Sequence, residues 1–187
     1  MRALLVVDVQ NDFCPGGSLA TPKGHAVVPV INKLIDEFDF VVASKDWHPE
    51  ETIHFEKWPK HCVQGTEGAE FHSDLHEHRF HKVFIKGTGN VDDGYSSFEA
   101  TNDNLAEYLE NKGVETVYIA GLTVEYCVKT TTLDSIKYGF ETYVIEDAVE
   151  GIYQHVGDVK KAFEEMKLAG AKMITSAEVK ARNLCNT

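Results

Sequence analysis

The chain has 187 residues, 43% hydrophobic and 26% charged, the balance of an ordinary globular protein and enough for one domain over residues 1–187 with a substantial core. Its 30 acidic against 18 basic residues leave a net charge of -12, which repels phosphate backbones and anionic lipid and argues against nucleic acid and membrane as partners. The first apolar run is broken by Asp8 and too short for a signal-peptide core, nothing approaches a membrane span, and the scattered Cys14, Cys62, Cys127 and Cys185 form no C-x-x-C pair, so a cytoplasmic protein with reduced thiols is expected.

In chain order, short runs rich in Val and Ile alternate with longer segments of helical period, the pattern of βαβ units around a parallel sheet. The first strand is expected over residues 3–9 (ALLVVDV), then a helix over 25–38 with Val27, Val30, Ile31, Leu34 and Ile35 on one face. A second strand over 40–46 (FVVASKD) leads into residues 47–81, which show no hydrophobic period and contain Pro49, Pro59, Gly65 and Gly68. So long a loop in a compact domain is usually functional. A third strand over 82–87 (KVFIKG) precedes a helix over 104–112 that carries Leu105, Tyr108 and Leu109, with Gly113 as its C-terminal cap. Next come a strand over 116–121 (TVYIAG) and a helix over 125–138 with Val128, Leu133 and Ile136 inward. A strand over 141–148 (ETYVIEDA), a helix over 156–169 with Val159, Phe163 and Met166 inward, and a strand over 171–175 (AKMIT) complete the series. Near-continuous apolar strands are buried on both faces. The expected fold is α/β: three layers, α/β/α, around a six-stranded, mostly parallel, doubly wound sheet.

Ligands of such a sheet sit beyond the carboxyl ends of its strands, where strand order reverses. Asp8 ends the first strand, Asp46 the second and Lys86 the third, and Cys127 follows the fourth in the first turn of a helix, so all four are expected along one edge. Singly, each has a plain reading: Cys127 as a small buried hydrophobe, Asp8 as a turn former, Lys86 as an exposed edge lysine. Together they read as a thiol, its base, and a cation that tunes the base. The helix start favours the thiolate, and the same backbone N–H groups are placed to hold an oxyanion.

The long loop adds a second cluster. Asp46, His48, His54 and His61 offer one carboxylate and three imidazoles, a ligand set for zinc, iron or manganese. Asp46 and His48, two apart, face one side of an extended segment. Seven of the nine histidines lie between His48 and His81, so a solvated surface competes with a metal site. It is the preferred reading for His72, His76, His78 and His81.

DVQNDF, the run CPGGSL from Cys14 to Leu19, the D-x-H of Asp46 and His48, WPKHCVQGT from Trp58 to Thr66, FIKG around Lys86 and GLTVEYCV around Cys127 carry a resemblance. In that order, from the first strand to the last helix, they resemble the nicotinamidase/pyrazinamidase branch of the isochorismatase-like cysteine hydrolases. The resemblance implies a catalytic triad at Asp8, Lys86 and Cys127, and one divalent metal, zinc foremost with iron or manganese as alternatives, on Asp46, His48, His54 and His61. It further implies a cis peptide between Leu122 and Thr123, and a ring-binding set of Phe13, Trp58, Leu19 and Leu122. Tyr95 and Phe98 are expected to close the pocket.

The implied substrate is a small carboxamide, nicotinamide with pyrazinamide beside it, whose pyridine nitrogen binds the metal while its amide reaches the thiol. Asp8 would take the thiol proton, the backbone N–H groups of Thr123 and Cys127 would hold the oxyanion, and water activated by Asp8 or supplied from the metal would hydrolyse the thioester to nicotinate. Rival readings are an N-carbamoyl amide hydrolase of the same superfamily, which typically lacks the D-x-H and WPxHC loop, and a receiver-like module or catalytically silent metal-binding protein, which would not need Cys127. A homo-oligomer is compatible with each.

Overall fold

Six strands form one sheet in the computed structural model, which describes residues 1–185. Residues 186 and 187, and the side chains of residues 183–185 with the Cys185 thiol among them, lie outside the described residues. The strands are β1 (Arg2–Val7), β2 (Phe40–Asp46), β3 (Lys82–Lys86), β4 (Thr116–Leu122), β5 (Glu141–Glu150) and β6 (Lys172–Ile174). Their order is β3-β2-β1-β4-β5-β6, and every neighbouring pair is parallel, where a mostly parallel sheet was expected. The order reverses between β1 and β4, which opens a crevice at their carboxyl ends.

Side chains of β1 alternate between two helical layers. Leu4 and Val6 pack with α1 (Val27–Ile35) and with Val179 of α5 (Ser176–Cys185). Ala3, Leu5 and Val7 pack on the opposite face with α2 (Leu105–Asn111) and α4 (Asp158–Ala169), where Ile136 of α3 (Lys129–Lys137) also joins the cluster.

Departures from the expected elements have local causes. β1 stops at Val7 because Asp8 turns into the left-handed region, φ 47°, which no strand continues through. The first helix starts at Val27 after a 3-10 turn, Gly24–Ala26, and buries Val28 where Val30 was expected. In α3 the buried positions are Thr131, Thr132 and Ser135, while Leu133 and Ile136 are half-buried. Hydroxyl partners make this possible: Thr132 Oγ1 donates to the Val128 carbonyl at 2.7 Å and Ser135 Oγ pairs with Thr142 Oγ1 at 2.8 Å. In α4, Ala162 and Met166 are buried and Val159 and Phe163 half-buried.

The terminal helix α5 has no counterpart in the expected elements. Residues 47–81 hold short 3-10 turns, such as Ile53–Glu56 and Glu67–Ala69, and no longer element. Among the described residues no helix is long and apolar enough to cross a membrane.

Candidate active site

The ladder itself places the polar strand ends. Asp46 and Lys86 are register partners at the ends of β2 and β3, and Val7, just before Asp8, pairs with both Ser44 and Gly121. Gly121 (φ 119°) lets β4 approach closely, since a Cβ there would meet the Val7 carbonyl oxygen at 2.0 Å. After β4 the chain passes through a cis peptide between Leu122 and Thr123, as the resemblance implies, into a π-helical turn, Val124–Val128, that carries Cys127 and leads into α3.

Asp8, Lys86 and Cys127 meet in the interior. Lys86 Nζ lies 2.7 Å from Asp8 Oδ2 and 3.6 Å from Cys127 Sγ, and it also contacts Asp46 Oδ1 and the Gly94 carbonyl. One carboxylate oxygen from each of Asp8 and Asp46 lies within 4.8 Å of the Cys127 sulfur and of the other. Asp8 and Lys86 are wholly buried and Cys127 nearly so. A buried cation between two carboxylates is compensated, where any one of them alone would be costly.

Burial pushes the Asp8 carboxyl above its ordinary range, with Lys86 pulling it down and Asp46 adding to the rise. Burial likewise pushes the Cys127 thiol well above its ordinary range, against the pull of Lys86. Lys86 resists the same burial because Asp46 and Asp8 hold its ammonium charged, well above the usual lysine range. Asp46 also overcomes burial, and Lys86 and His48 keep its carboxyl well below the carboxylate range. Burial therefore opposes the thiolate that the helix start favours. A thiol raised by burial gives up its proton most readily to a nearby acceptor of raised affinity.

The histidine loop reaches the other side of Asp46. His48 Nδ1 faces the Gly87 carbonyl at 2.9 Å, His54 Nδ1 faces Asp92 Oδ1 at 3.0 Å, and His61 Nδ1 faces the Pro59 carbonyl at 2.8 Å. An acceptor at each Nδ1 favours the tautomer that leaves Nε2 with a lone pair. Asp46 Oδ2 is 3.5 Å from His48 Nε2 and 3.8 Å from His61 Nε2, and one nitrogen from each of the three rings lies within 4.8 Å of the others. His48 Nε2 is buried and meets no hydrogen-bond partner among the described residues. Burial holds His61 down at about 4 against the pull of Asp46, and lowers His54 as well. Three imidazoles beside a carboxylate held ionised, with the buried His48 Nε2 left over, are a donor set that fits a divalent metal ion. Gly87 (φ 67°) is required here, because a Cβ would sit 2.5 Å from the His48 ring.

A cleft opens onto both clusters. Phe13, Leu19, Trp58, Tyr95, Tyr126 and Ile152 wall it, and Asp46, His54, His61, Thr123 and Cys127 also line it. Two expected pocket residues lie elsewhere. Leu122 is wholly buried in the layer of α1, on the face that alternation along β4 assigns it, and Phe98 stacks on Tyr138 at 5.0 Å. His76, His78 and His81 are exposed and His72 half-buried, as expected for a solvated cluster.

Several site-building residues gave no chemical signal in the sequence. Asp92 holds His54 Nδ1, the Tyr95 hydroxyl at 2.7 Å and Lys57. Gln10 clasps the Asp46 backbone, accepting its N–H at 2.8 Å and donating to its carbonyl at 2.7 Å. Asp12 accepts the Cys62 N–H at 2.7 Å, which fixes the residue beside His61. Gln10 and Asp12 lie in DVQNDF, so the motif marked their place without their task; nothing marked Asp92.

The family model described as the isochorismatase domain matches residues 2–178. The chain is 38% identical to the nicotinamidase of Escherichia coli (strain K12), over 95% of this chain and 96% of that protein. It is also 38% identical to the nicotinamidase/pyrazinamidase of Mycobacterium tuberculosis, over 95% and 100%. Among solved structures, a nicotinamidase/pyrazinamidase of Acinetobacter baumanii superposes with a TM-score of 0.90 at 38% identity, covering 95% of this chain and 97% of that one. The pyrazinamidase of Pyrococcus horikoshii in complex with zinc superposes with a TM-score of 0.84 at 45% identity, covering 93% and 98%.

Proposed function

We infer that this chain, which belongs to the isochorismatase domain family, is an amidohydrolase that converts nicotinamide to nicotinate and ammonia. The observation that carries this reading is that one small cleft is lined by the Cys127 thiol and by Asp46, His54 and His61 together. A flat ring with a carboxamide on one side and a nitrogen on the other has a partner for each end. Pyrazinamide offers the same two features and belongs to the same substrate class. The nicotinamidases that the chain resembles support the assignment; a nicotinate product fits NAD salvage, and cysteines scattered without a C-x-x-C pair support a cytoplasmic location.

Asp8 accepts the thiol proton as Cys127 Sγ bonds to the amide carbon, and the carbonyl electron pair moves onto oxygen. Backbone N–H groups of Thr123 and Cys127, both lining the cleft, stabilise that oxyanion. The pair returns, the C–N bond breaks, and Asp8 gives its proton to the departing amine, leaving ammonia and a thioester. Asp8 then takes a proton from water as the water oxygen bonds to the thioester carbon. The C–S bond breaks, sulfur regains its proton from Asp8, and the acid leaves, releasing its carboxyl proton to solvent to become nicotinate. Lys86, paired with Asp8 at 2.7 Å, acts electrostatically by offsetting the charge that Asp8 and the sulfur exchange. Phe13 and Trp58 hold the ring, with Leu19 beside them. Asp46, His48, His54 and His61 would hold one divalent ion, with zinc, the ion of the Pyrococcus relative, ahead of iron or manganese, and when bound it supplies a Lewis-acid anchor for the ring nitrogen.

Ammonia release from nicotinamide tests the reading. Wild type is expected to turn over, Cys127→Ala to be inactive, and chelator-treated protein to weaken. A silent wild type would overturn the function, and an unimpaired Cys127→Ala would overturn the nucleophile.

A further inference from the structure

A row of hydroxyls runs from Asp8 into the layer of α3, and the chemistry above makes no use of it. Ser44 Oγ donates to Asp8 Oδ1 at 2.7 Å, Ser97 Oγ donates to Ser44 Oγ at 2.8 Å, and Ser97 Oγ pairs with Thr131 Oγ1 at 3.1 Å. All four residues are wholly buried. They come from four places in the fold: the end of β1, β2, the 3-10 turn Ser97–Glu99, and α3.

Chemistry fixes the direction of the row. An ionised carboxylate accepts and cannot donate, and each hydroxyl has one proton. Ser44 spends its proton on Asp8 and must accept from Ser97, and Ser97, having given its own to Ser44, accepts from Thr131. Thr131 Oγ1 also accepts the Ser97 backbone N–H at 2.9 Å, which locks the two together. The backbone carbonyl of Ser44 holds the Asp8 N–H at 3.2 Å, so one residue grips Asp8 at both ends while Asp8 keeps a φ of 47°. The segment carrying Ser97 also supplies the Gly94 carbonyl that meets Lys86 Nζ.

We propose that Ser44, Ser97 and Thr131 are positioning residues, a one-way hydroxyl relay that holds Asp8 with Oδ2 turned toward Lys86 and Cys127. Hydrogen bonds that all point one way polarise one another and strengthen the bond at the charged end. The hydroxyl bonds of the relay end on Asp8, and Ser44, Ser97 and Thr131 are not among the residues that line the ring pocket. Its loss is therefore expected in the chemical step and not in substrate binding. The inference rests on the proposed hydrolysis for its kinetic readout, and thiol reactivity supplies a second readout that needs no nicotinamide.

The experiment combines a double-mutant cycle with alkylation of Cys127 by iodoacetamide, using Cys127→Ala as the blank for other thiols. Ser44→Ala is expected to lower kcat about ten- to a hundredfold, the loss of one hydrogen bond to a charge, with KM within about twofold of wild type. Ser97→Ala is expected to lower kcat by about threefold, because it acts through Ser44. The double variant should be no slower than Ser44→Ala. Alkylation of Cys127 should slow in the same order. Thr131→Val should behave as Ser97→Ala, and Thr131→Ser, which keeps the hydroxyl, should restore the wild-type rate.

Unchanged kcat in Ser44→Ala overturns the relay, as does a loss carried by KM, or single-variant losses that multiply in the double variant. If Ser44→Ala does not fold, the Thr131→Val and Thr131→Ser pair decides, with equal rates in both overturning the proposal. A wild type without nicotinamide turnover defeats the inferred function instead, and the alkylation rates then judge the relay alone.

Discussion

Asp46 stands between two regions built on opposite principles. On one side, Asp8, Lys86 and the turn bearing Cys127 are fixed by strand registers and are almost fully buried. On the other, His48, His54 and His61 come from a segment without strands or α-helices, and each ring is aimed by an acceptor outside the ring set: Gly87, Asp92 or Pro59. The first region gains precision from the sheet and carries buried charges that need one another. The second gains it from borrowed hydrogen bonds, and burial lowers the proton affinity of His54 and His61. Lys86 joins the two by contacting both Asp8 and Asp46, so damage should spread across the boundary when Lys86 is lost and stay local when an acceptor is lost.

The largest expected effect is therefore at Lys86. Lys86→Met keeps a similar volume but leaves two carboxylates buried without their cation, and should cost about 3–5 kcal/mol of stability as for a broken buried pair. It should also lower kcat/KM by roughly 10³-fold, through misplaced charge at both Asp8 and Asp46. Denaturant melts and ammonia release measure the two. A variant as stable as wild type would show that the two regions are not electrostatically joined.

Next comes Asp92→Asn, which should weaken metal binding about 10- to 100-fold, the usual effect of a residue behind a metal-bound histidine. Competition against a chromophoric chelator measures it, while iodoacetamide alkylation of Cys127 should be unaltered. A slowed alkylation would mean that the histidine loop and the thiol are coupled by something besides Lys86. Gly87→Ala should act in the same direction. A Cβ there meets His48 Cε1 at 2.5 Å and the backbone sits at φ 67°, so metal affinity should fall by about tenfold or more, together with about 1–2 kcal/mol of stability.

The difference between the regions also explains what could be read from the sequence. Asp8, Asp46 and Lys86 were legible because each interrupts an apolar strand at its carboxyl end, where parallel sheets bind ligands. The three histidines were legible as ligand types, although aiming them depends on contacts that no period encodes. Asp92 lies 38 residues along the chain from His54, and its role exists only after folding. The buried face of α3 escaped apolar pattern reading because Thr131, Thr132 and Ser135 fill it, with their hydroxyls satisfied by Ser97, the Val128 carbonyl and Thr142. The short amphipathic signal of α5, with Val179 wholly buried, was too weak to stand out. The pull of burial against the Cys127 thiolate is not legible in sequence, because a helix start shows there and desolvation does not.

The smallest effect, and the one that best resolves the boundary, is expected at Tyr95. Its hydroxyl accepts from Trp58 Nε1 at 3.1 Å and donates to Asp92 Oδ1 at 2.7 Å, so it links a wall of the ring pocket to the carboxylate behind His54. Tyr95→Phe keeps the ring and removes both bonds. Trp58 is half-buried, and its freed N–H can turn to water, so the loss should be about 1 kcal/mol, seen as a roughly fivefold rise in KM for nicotinamide with kcat nearly unchanged. Metal affinity should move by less than in Asp92→Asn, because Asp92 Oδ1 still holds His54 Nδ1 at 3.0 Å. A fall in kcat with constant KM would place Tyr95 with the strand-end cluster, and would shift the boundary between the two regions from Asp46 to the segment after β3.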